Sequence, residues 1–240
     1  MSQQAVRSPR DQTRVRLSSF WLKQIMVVTG LVFVGFVFVH MIGNLKIYGG
    51  AASLDGYAQW LREIGYPLIP HQGVLWALRI VLAIALIGHV WAAVALWLRG
   101  RKARGPFRRR GMRGLMPAGA RLMMPGGLVI LVFIVVHLLD LTIGALLAPR
   151  SFRGPDADGT IHAYHNLVAS FSRPWMAIFY ILTMLILGFH IQHGWRTVLQ
   201  DIGAMGEWRS AWITLGALIA LAVVLGNALI PILVLAGVFA

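Results

Sequence analysis

Apolar positions along this chain come in blocks far longer than a strand or a surface helix needs. Five predominantly apolar stretches stand between short polar segments: Trp21–Gly43, Val74–Leu98, Leu122–Leu147, Pro174–Val198 and Trp212–Phe239. A helix rises about 1.5 Å per residue, so about 20 apolar residues cross the hydrocarbon core of a bilayer. Each block is long enough. The pattern predicts an all-α integral membrane protein, a bundle of five transmembrane helices forming one membrane domain over residues 21–240. Residues 1–20 form a polar, basic leader with no apolar h-region and no small-residue cleavage site before the first span. It reads as a cytoplasmic segment rather than a signal peptide. The intervening segments Asn44–Gly73, Arg99–Arg121, Ala148–Arg173 and Leu199–Ala211 read as linkers, and no repeat of fixed period is present.

Composition narrows the class further. Apolar residues make up 58% of the chain and charged residues 12%, with a mean hydropathy of +0.72; an ordinary soluble chain carries about twice that charged share. Soluble enzyme folds and disordered chains are thereby excluded. The absence of cysteine excludes disulfide scaffolds, thiolate metal sites and cysteine-ligated iron–sulfur clusters. The net charge of +14 sits at the ends of the apolar blocks. Sixteen basic residues fall on the side of the leader and the second and fourth linkers, against five on the other. The positive-inside rule then predicts a cytoplasmic N-terminus and an external C-terminus. The run Arg99–Arg113 is accounted for by this rule and by anionic lipid, with no nucleic-acid partner.

The candidate chemistry lies in four histidines inside the blocks: His40, His89, His137 and His190, one on each of the first four spans. One intramembrane histidine is as readily a helix–helix hydrogen bond as a functional group; four on successive helices ask for a common reason. Counting residues from the span ends places His40 and His137 in the outer half and His89 and His190 in the inner half. The two levels differ by roughly 10–15 Å. Zinc needs four ligands converging on one point, and a proton relay more often recruits carboxylates, of which the spans hold only Asp140. Two imidazoles from facing helices suit a low-spin b-type haem, and two such pairs predict two haems. Gly30 and Gly127, ten residues before a histidine, fall at the inner level, where a missing side chain gives a macrocycle room. Small-residue helix packing explains them equally well. Arg79 and Tyr180 fall at the outer level, where they suit haem propionates. For the arginine an ion pair with Asp140 is the competing reading.

The segment KQIMVVTGLVFVGFVFVHMIGNLKIYGGAASLDGYAQWLRE (Lys23–Glu63) resembles the cytochrome b subunit of succinate dehydrogenase and fumarate reductase, of the single-chain, five-helix, dihaem (b558) type. The most specific part is HMIGNLKIYGG with Tyr57 and Leu61 downstream. Weaker similarity surrounds His89 (IGHVWAA), His137 (VVHLLDLT) and His190 (GFHIQHGWRT), and includes GNALIPILV near the C-terminus. The resemblance implies a multi-pass subunit of the bacterial cytoplasmic membrane that binds two b haems and menaquinone. It also implies a flavoprotein subunit and an iron–sulfur subunit as cytoplasmic partners, where the dicarboxylate chemistry takes place. A higher oligomer of that complex is compatible with it. The family's four axial ligands fall on His40, His89, His137 and His190, in the pairing already read from depth. Its acidic residue after the first helix, tied to quinol chemistry, falls on Glu63, with Asp55 close enough to compete. Some fumarate reductases of this type carry a glutamate two residues before the fourth histidine. This chain has Gly188 there, which argues against that proton route.

A quinone site needs a proton-carrying group near a haem edge and an apolar slot. Glu63, Tyr66 and His71 are the outer candidates; Lys23, His193, Trp195 and Arg196 are the inner alternative. Aromatic and basic residues also gather at that depth as plain interfacial anchors. The outer set is preferred because it alone offers a carboxylate. The leading expectation is a succinate:menaquinone oxidoreductase anchor. The runner-up is a dihaem b anchor of another quinone-linked dehydrogenase, of the hydrogenase or formate dehydrogenase type. A non-redox transporter would leave the histidine pairs unexplained. His162 and His165 are read as lying on a solvated loop.

Overall fold

The computed structural model describes residues 17–106, 115–204 and 206–239. Most of the basic leader, 1–16, and the centre of the arginine-rich linker, 107–114, lie outside the described residues. Helix α1 spans Ser19–Asn44, opened by Ser18, whose Oγ accepts from the Trp21 N–H at 3.4 Å and so satisfies one of the free first-turn donors. It tightens into a 3-10 turn at Leu45–Gly49 and continues as α2, Gly50–Glu63. Then come α3 (Gly73–Arg104) and α4 (Leu115–His137), the latter running into a π-helical turn at Leu138–Ile143. Helices α5 (Ala163–Phe171), α6 (Pro174–Asp201) and α7 (Arg209–Leu235) complete the chain. Among the described residues, five stretches are long and apolar enough to cross a membrane: Ser19–Glu63, Gly73–Arg104, Arg121–Ile143, Pro174–Asp201 and Arg209–Leu235. No strand occurs among the described residues. The chain is a multi-pass, all-helical membrane protein.

The helices overrun several of the expected span ends. Helix α3 continues to Arg104, six residues past Leu98, carrying Arg101, Lys102 and Arg104 in its last turn, where cations complement the C-terminal dipole. Two segments expected as loops also contain helices. Helix α2 buries Leu54, and α5 buries Asn166, Leu167, Ser170 and Phe171. Helix α2 is carried at the end of the first stretch, Ser19–Glu63, and α5 is too short to register as a span. The solvated-loop reading of His162 and His165 is therefore corrected. Both are half-buried at the start of α5, His162 bonded to Asp156 at 2.8 Å and His165 to the Ser151 carbonyl at 2.8 Å.

Helix α6 lies along α7, α1 packs on α3 and α7, and α4 packs on α6. Close backbone approach holds the α6–α7 seam. Gly188 faces Val224 and Gly216 faces Trp195 so tightly that a Cβ at either glycine would collide, the small-residue packing expected between membrane helices. At the end of the bundle carrying α2 and α5, a core gathers Ile47, Leu54, Phe171, Met176, Tyr180 and Ile230. Asn44 donates to Asn227 at 2.9 Å and ties α1 to α7 near that end. At the opposite end, Arg99 reaches the Ser19 Oγ (3.1 Å) and the Leu17 carbonyl (2.6 Å), and Lys23 pairs with Asp201 at 2.6 Å. Large apolar side chains such as Val28, Ile84, Ile87, Phe189 and Leu218 face outward. Exposed apolar helix faces on this scale call for lipid rather than water.

Candidate functional site

The four intramembrane histidines meet in two pairs. His40 on α1 and His137 on α4 have ring centres 5.8 Å apart with planes at 80°. His89 on α3 and His190 on α6 are 6.4 Å apart at 55°. Neither α1 with α4 nor α3 with α6 is among the closely packed helix pairs of the described residues. The rings thus reach toward each other across the bundle interior instead of lying in a helix seam. Among the described residues no group of three or more His, Asp or Glu is placed to hold a metal ion, so the ligand sets on offer are pairs of imidazoles.

Register fixes the distance between the pairs. A Cβ on Gly30 would stand 3.9 Å from the His89 Cε1, and one on Gly127 would stand 3.6 Å from the His190 Cε1. The Tyr180 hydroxyl lies 3.4 Å from the His137 Nδ1. Each of these residues precedes the histidine of its own helix by ten positions, so α1, α4 and α6 all give a separation of about 15 Å. This is the upper end of the expected range. Both glycines lie beside the His89–His190 pair, where a Cβ would come into ordinary contact with a ring edge.

Hydrogen bonds select the free ring nitrogen in two cases. The Thr29 hydroxyl donates to the Ile25 carbonyl at 2.6 Å and lies 2.9 Å from the His89 Nδ1. It therefore accepts from that nitrogen, and the His89 Nε2 keeps its lone pair. The Tyr180 hydroxyl donates to the Asp140 Oδ2 at 3.2 Å, so it accepts from the His137 Nδ1 and likewise leaves Nε2 bare. The His190 Nδ1 is buried without a hydrogen-bond partner among the described residues. Aromatic neighbours hold the rings: Phe36 stacks on His40 at 5.4 Å, Phe133 on His137 at 5.7 Å, and Phe33 meets His89 edge-on at 5.7 Å.

Beside the His40–His137 pair lies a buried polar cluster. Asp140, with no exposed surface, sits in the π turn directly after His137. It accepts from the Arg173 Nη2 at 2.5 Å, the Ser170 Oγ at 2.5 Å and Tyr180. The competing reading of Arg79 as the partner of Asp140 is thus overturned, because Arg173 holds that place. Arg79 lies over the Trp76 ring at 4.8 Å and close enough to Arg62 for the two charges to repel. Neither arginine forms an ion pair among the described residues.

The outer quinone candidates share one turn between α2 and α3. The Tyr66 N–H donates to the Glu63 carbonyl at 3.0 Å, and the Tyr66 and His71 rings stack at 4.2 Å and 23°. The Glu63 carboxylate is exposed and accepts from the Gln59 Nε2 at 2.5 Å. Asp55 instead accepts from the Tyr164 N–H at 2.8 Å, tying α2 to α5. At the other end of the bundle, the inner candidates have separate partners. Lys23 is paired with Asp201, Trp195 donates to the Trp212 carbonyl at 2.8 Å, and His193 lies against Gly119. Arg196 follows His193 on α6.

Comparison with known proteins adds one result. Residues 121–229 match the family model of the succinate dehydrogenase/fumarate reductase transmembrane subunit. The stretch similar to the transmembrane subunit family is just under half of the chain. It takes in most of α4, all of α5 and α6, and most of α7, including His137 and His190 but not His40 or His89. No curated protein and no solved structure matches the chain. Gly188, two residues before His190, faces Val224 so closely that a Cβ there would collide with its side chain.

Sequence reasoning passed over Thr29 and Ser170, and counted Arg62 and Arg173 only as topological charges. Thr29 was within reach of the register argument that found Gly30. Asp140 lies three residues after His137, on the same helix face. The contacts of Arg62 and Ser170 depend on how α2 and α5 fold back, which no local pattern reveals.

Proposed function

We propose that this chain is the membrane-anchor cytochrome b subunit of a succinate:menaquinone oxidoreductase in a bacterial cytoplasmic membrane. His40 with His137 would hold an outer b haem, and His89 with His190 an inner one. The observation that carries this reading is the ring spacing across helices that do not pack closely together. Metal–imidazole bonds of about 2.0–2.1 Å, as for zinc, put the centres of two opposed rings about 6.4 Å apart. The observed 6.4 Å for His89 and His190 meets that value, and the 5.8 Å for His40 and His137 falls just short of it. The bare Nε2 atoms of His89 and His137 fit the same role, as does the space beside Gly30 and Gly127.

When bound, haem b would supply one-electron transfer. The chain's own residues do the rest. Arg62 and Arg79 present two guanidinium groups to the propionate carboxylates at the outer level. Glu63 holds or releases a proton at its exposed carboxylate, while Tyr66 and His71 offer a phenol and an imidazole to a quinone ring. Lys23, His193, Trp195 and Arg196 form the alternative quinone site at the inner end. The basic inner face meets anionic lipid and the flavoprotein and iron–sulfur subunits. Affinity purification of the chain from its native membrane tests the assignment. Co-purification of those two subunits with succinate-dependent reduction of the b-type absorbance is expected. Recovery of hydrogenase or formate dehydrogenase subunits instead would overturn it.

A further inference from the structure

The two histidine pairs differ in what stands behind them. Behind His89, the Thr29 hydroxyl accepts from Nδ1 and passes its own proton to a neutral acceptor, the Ile25 carbonyl. Behind His137, the Tyr180 hydroxyl does the same but ends on a buried carboxylate, Asp140. A hydrogen-bond chain ending on an anion draws more strongly on the ring proton than one ending on a carbonyl. The ring then becomes the more basic ligand. Arg173 and Ser170 hold the other lone pairs of Asp140. Arg173 offsets the through-space effect of the carboxylate charge, so the path through Tyr180 remains the main route by which Asp140 acts on His137.

We infer that Tyr180 and Asp140 are positioning residues that hold down the reduction potential of the outer haem, by making His137 a stronger donor to ferric iron. This rests on reading the histidine pairs as haem ligands. Ser170 works in the opposite sense: its proton on the Asp140 Oδ2 competes with that of Tyr180, so it weakens the pull on His137.

Equilibrium redox titration of the purified complex, following each haem by its absorbance and by low-temperature electron paramagnetic resonance, tests this. The outer haem is the one lost in His137→Ala. Tyr180→Phe should favour its reduced form by about three- to tenfold, an upward shift of about 30–60 mV for a one-electron couple, with the inner haem unmoved. Ser170→Ala should shift the outer haem downward, an opposite sign that loosened packing would not produce. Should Tyr180→Phe fail to accumulate, Asp140→Asn must give the upward shift and Ser170→Ala the downward one. Two haems with the outer potential unchanged in these variants would overturn the inference while leaving the ligand assignment intact. A wild-type complex without two b haems would instead overturn the ligand assignment itself.

Discussion

Gly127 offers a direct test of the space beside the inner pair. Its Cβ would stand 3.6 Å from the His190 Cε1, and that of Gly30 3.9 Å from the His89 Cε1. Both are ordinary contact distances, so a Cβ at either site fits the bundle with its histidine rings alone. Helix propensity favours the change, since glycine costs about 1 kcal/mol relative to alanine in a helix interior. What Gly127→Val removes is the room for a flat group held between the rings. Overpacking of a filled site costs about 1–3 kcal/mol, which is about five- to 150-fold in affinity. The assay is the haem-to-protein ratio of the purified protein, with the low-temperature spectrum showing which haem is lost. The inner haem should fall to a small fraction of its wild-type occupancy in Gly127→Val and Gly30→Val. It should be unaffected in Gly35→Val, where a Cβ meets nothing within 4 Å. Full occupancy and an unchanged spectrum in Gly127→Val would refute the argument that this glycine makes room for a macrocycle.

Asp140→Ala leaves Arg173, Ser170 and Tyr180 without their shared acceptor. Breaking a buried pair costs about 3–5 kcal/mol. Arg173 keeps 22% of its side chain exposed and still reaches the Leu147 carbonyl, so the loss should fall near the lower bound in thermal unfolding; a loss under about 1 kcal/mol would show that the cluster does not hold the fold. Glu63→Gln should keep both haems and succinate-to-dye activity but lose most menaquinone reduction. Reduction at the wild-type rate would move the quinone site to the end carrying Lys23 and His193. Lys23→Ala removes a pair whose lysine is 51% exposed, so its effect on stability should be no more than about 1 kcal/mol, and a larger loss would mean that the pair is shielded by a partner.

The long-range plan of the molecule was legible because a membrane reduces it to few variables. Apolar block length set the spans, and the fixed rise of a helix turned sequence position into depth. Depth alone paired His40 with His137 and His89 with His190, and the structure brings those rings together. Register also put Gly30 and Gly127 beside the lower pair and Tyr180 beside the upper one. Depth does not reveal a contact that depends on rotation about a helix axis or on chain folding back outside the spans. Arg79 and Asp140 share a depth, yet Asp140 meets Arg173, which arrives from the turn between α5 and α6. The α2 and α5 helices were invisible to a criterion tuned to twenty apolar residues. So was the π turn after His137, which has no strong sequence signature.

Haem content resolved by ligand is the most direct test of the central claim. The wild-type chain should give two b haems per polypeptide in a pyridine haemochrome assay. His40→Ala and His137→Ala should each remove the same haem, and His89→Ala and His190→Ala should each remove the other. One haem or none in the wild type, or loss of a single shared haem in His40→Ala and His190→Ala, would contradict the account.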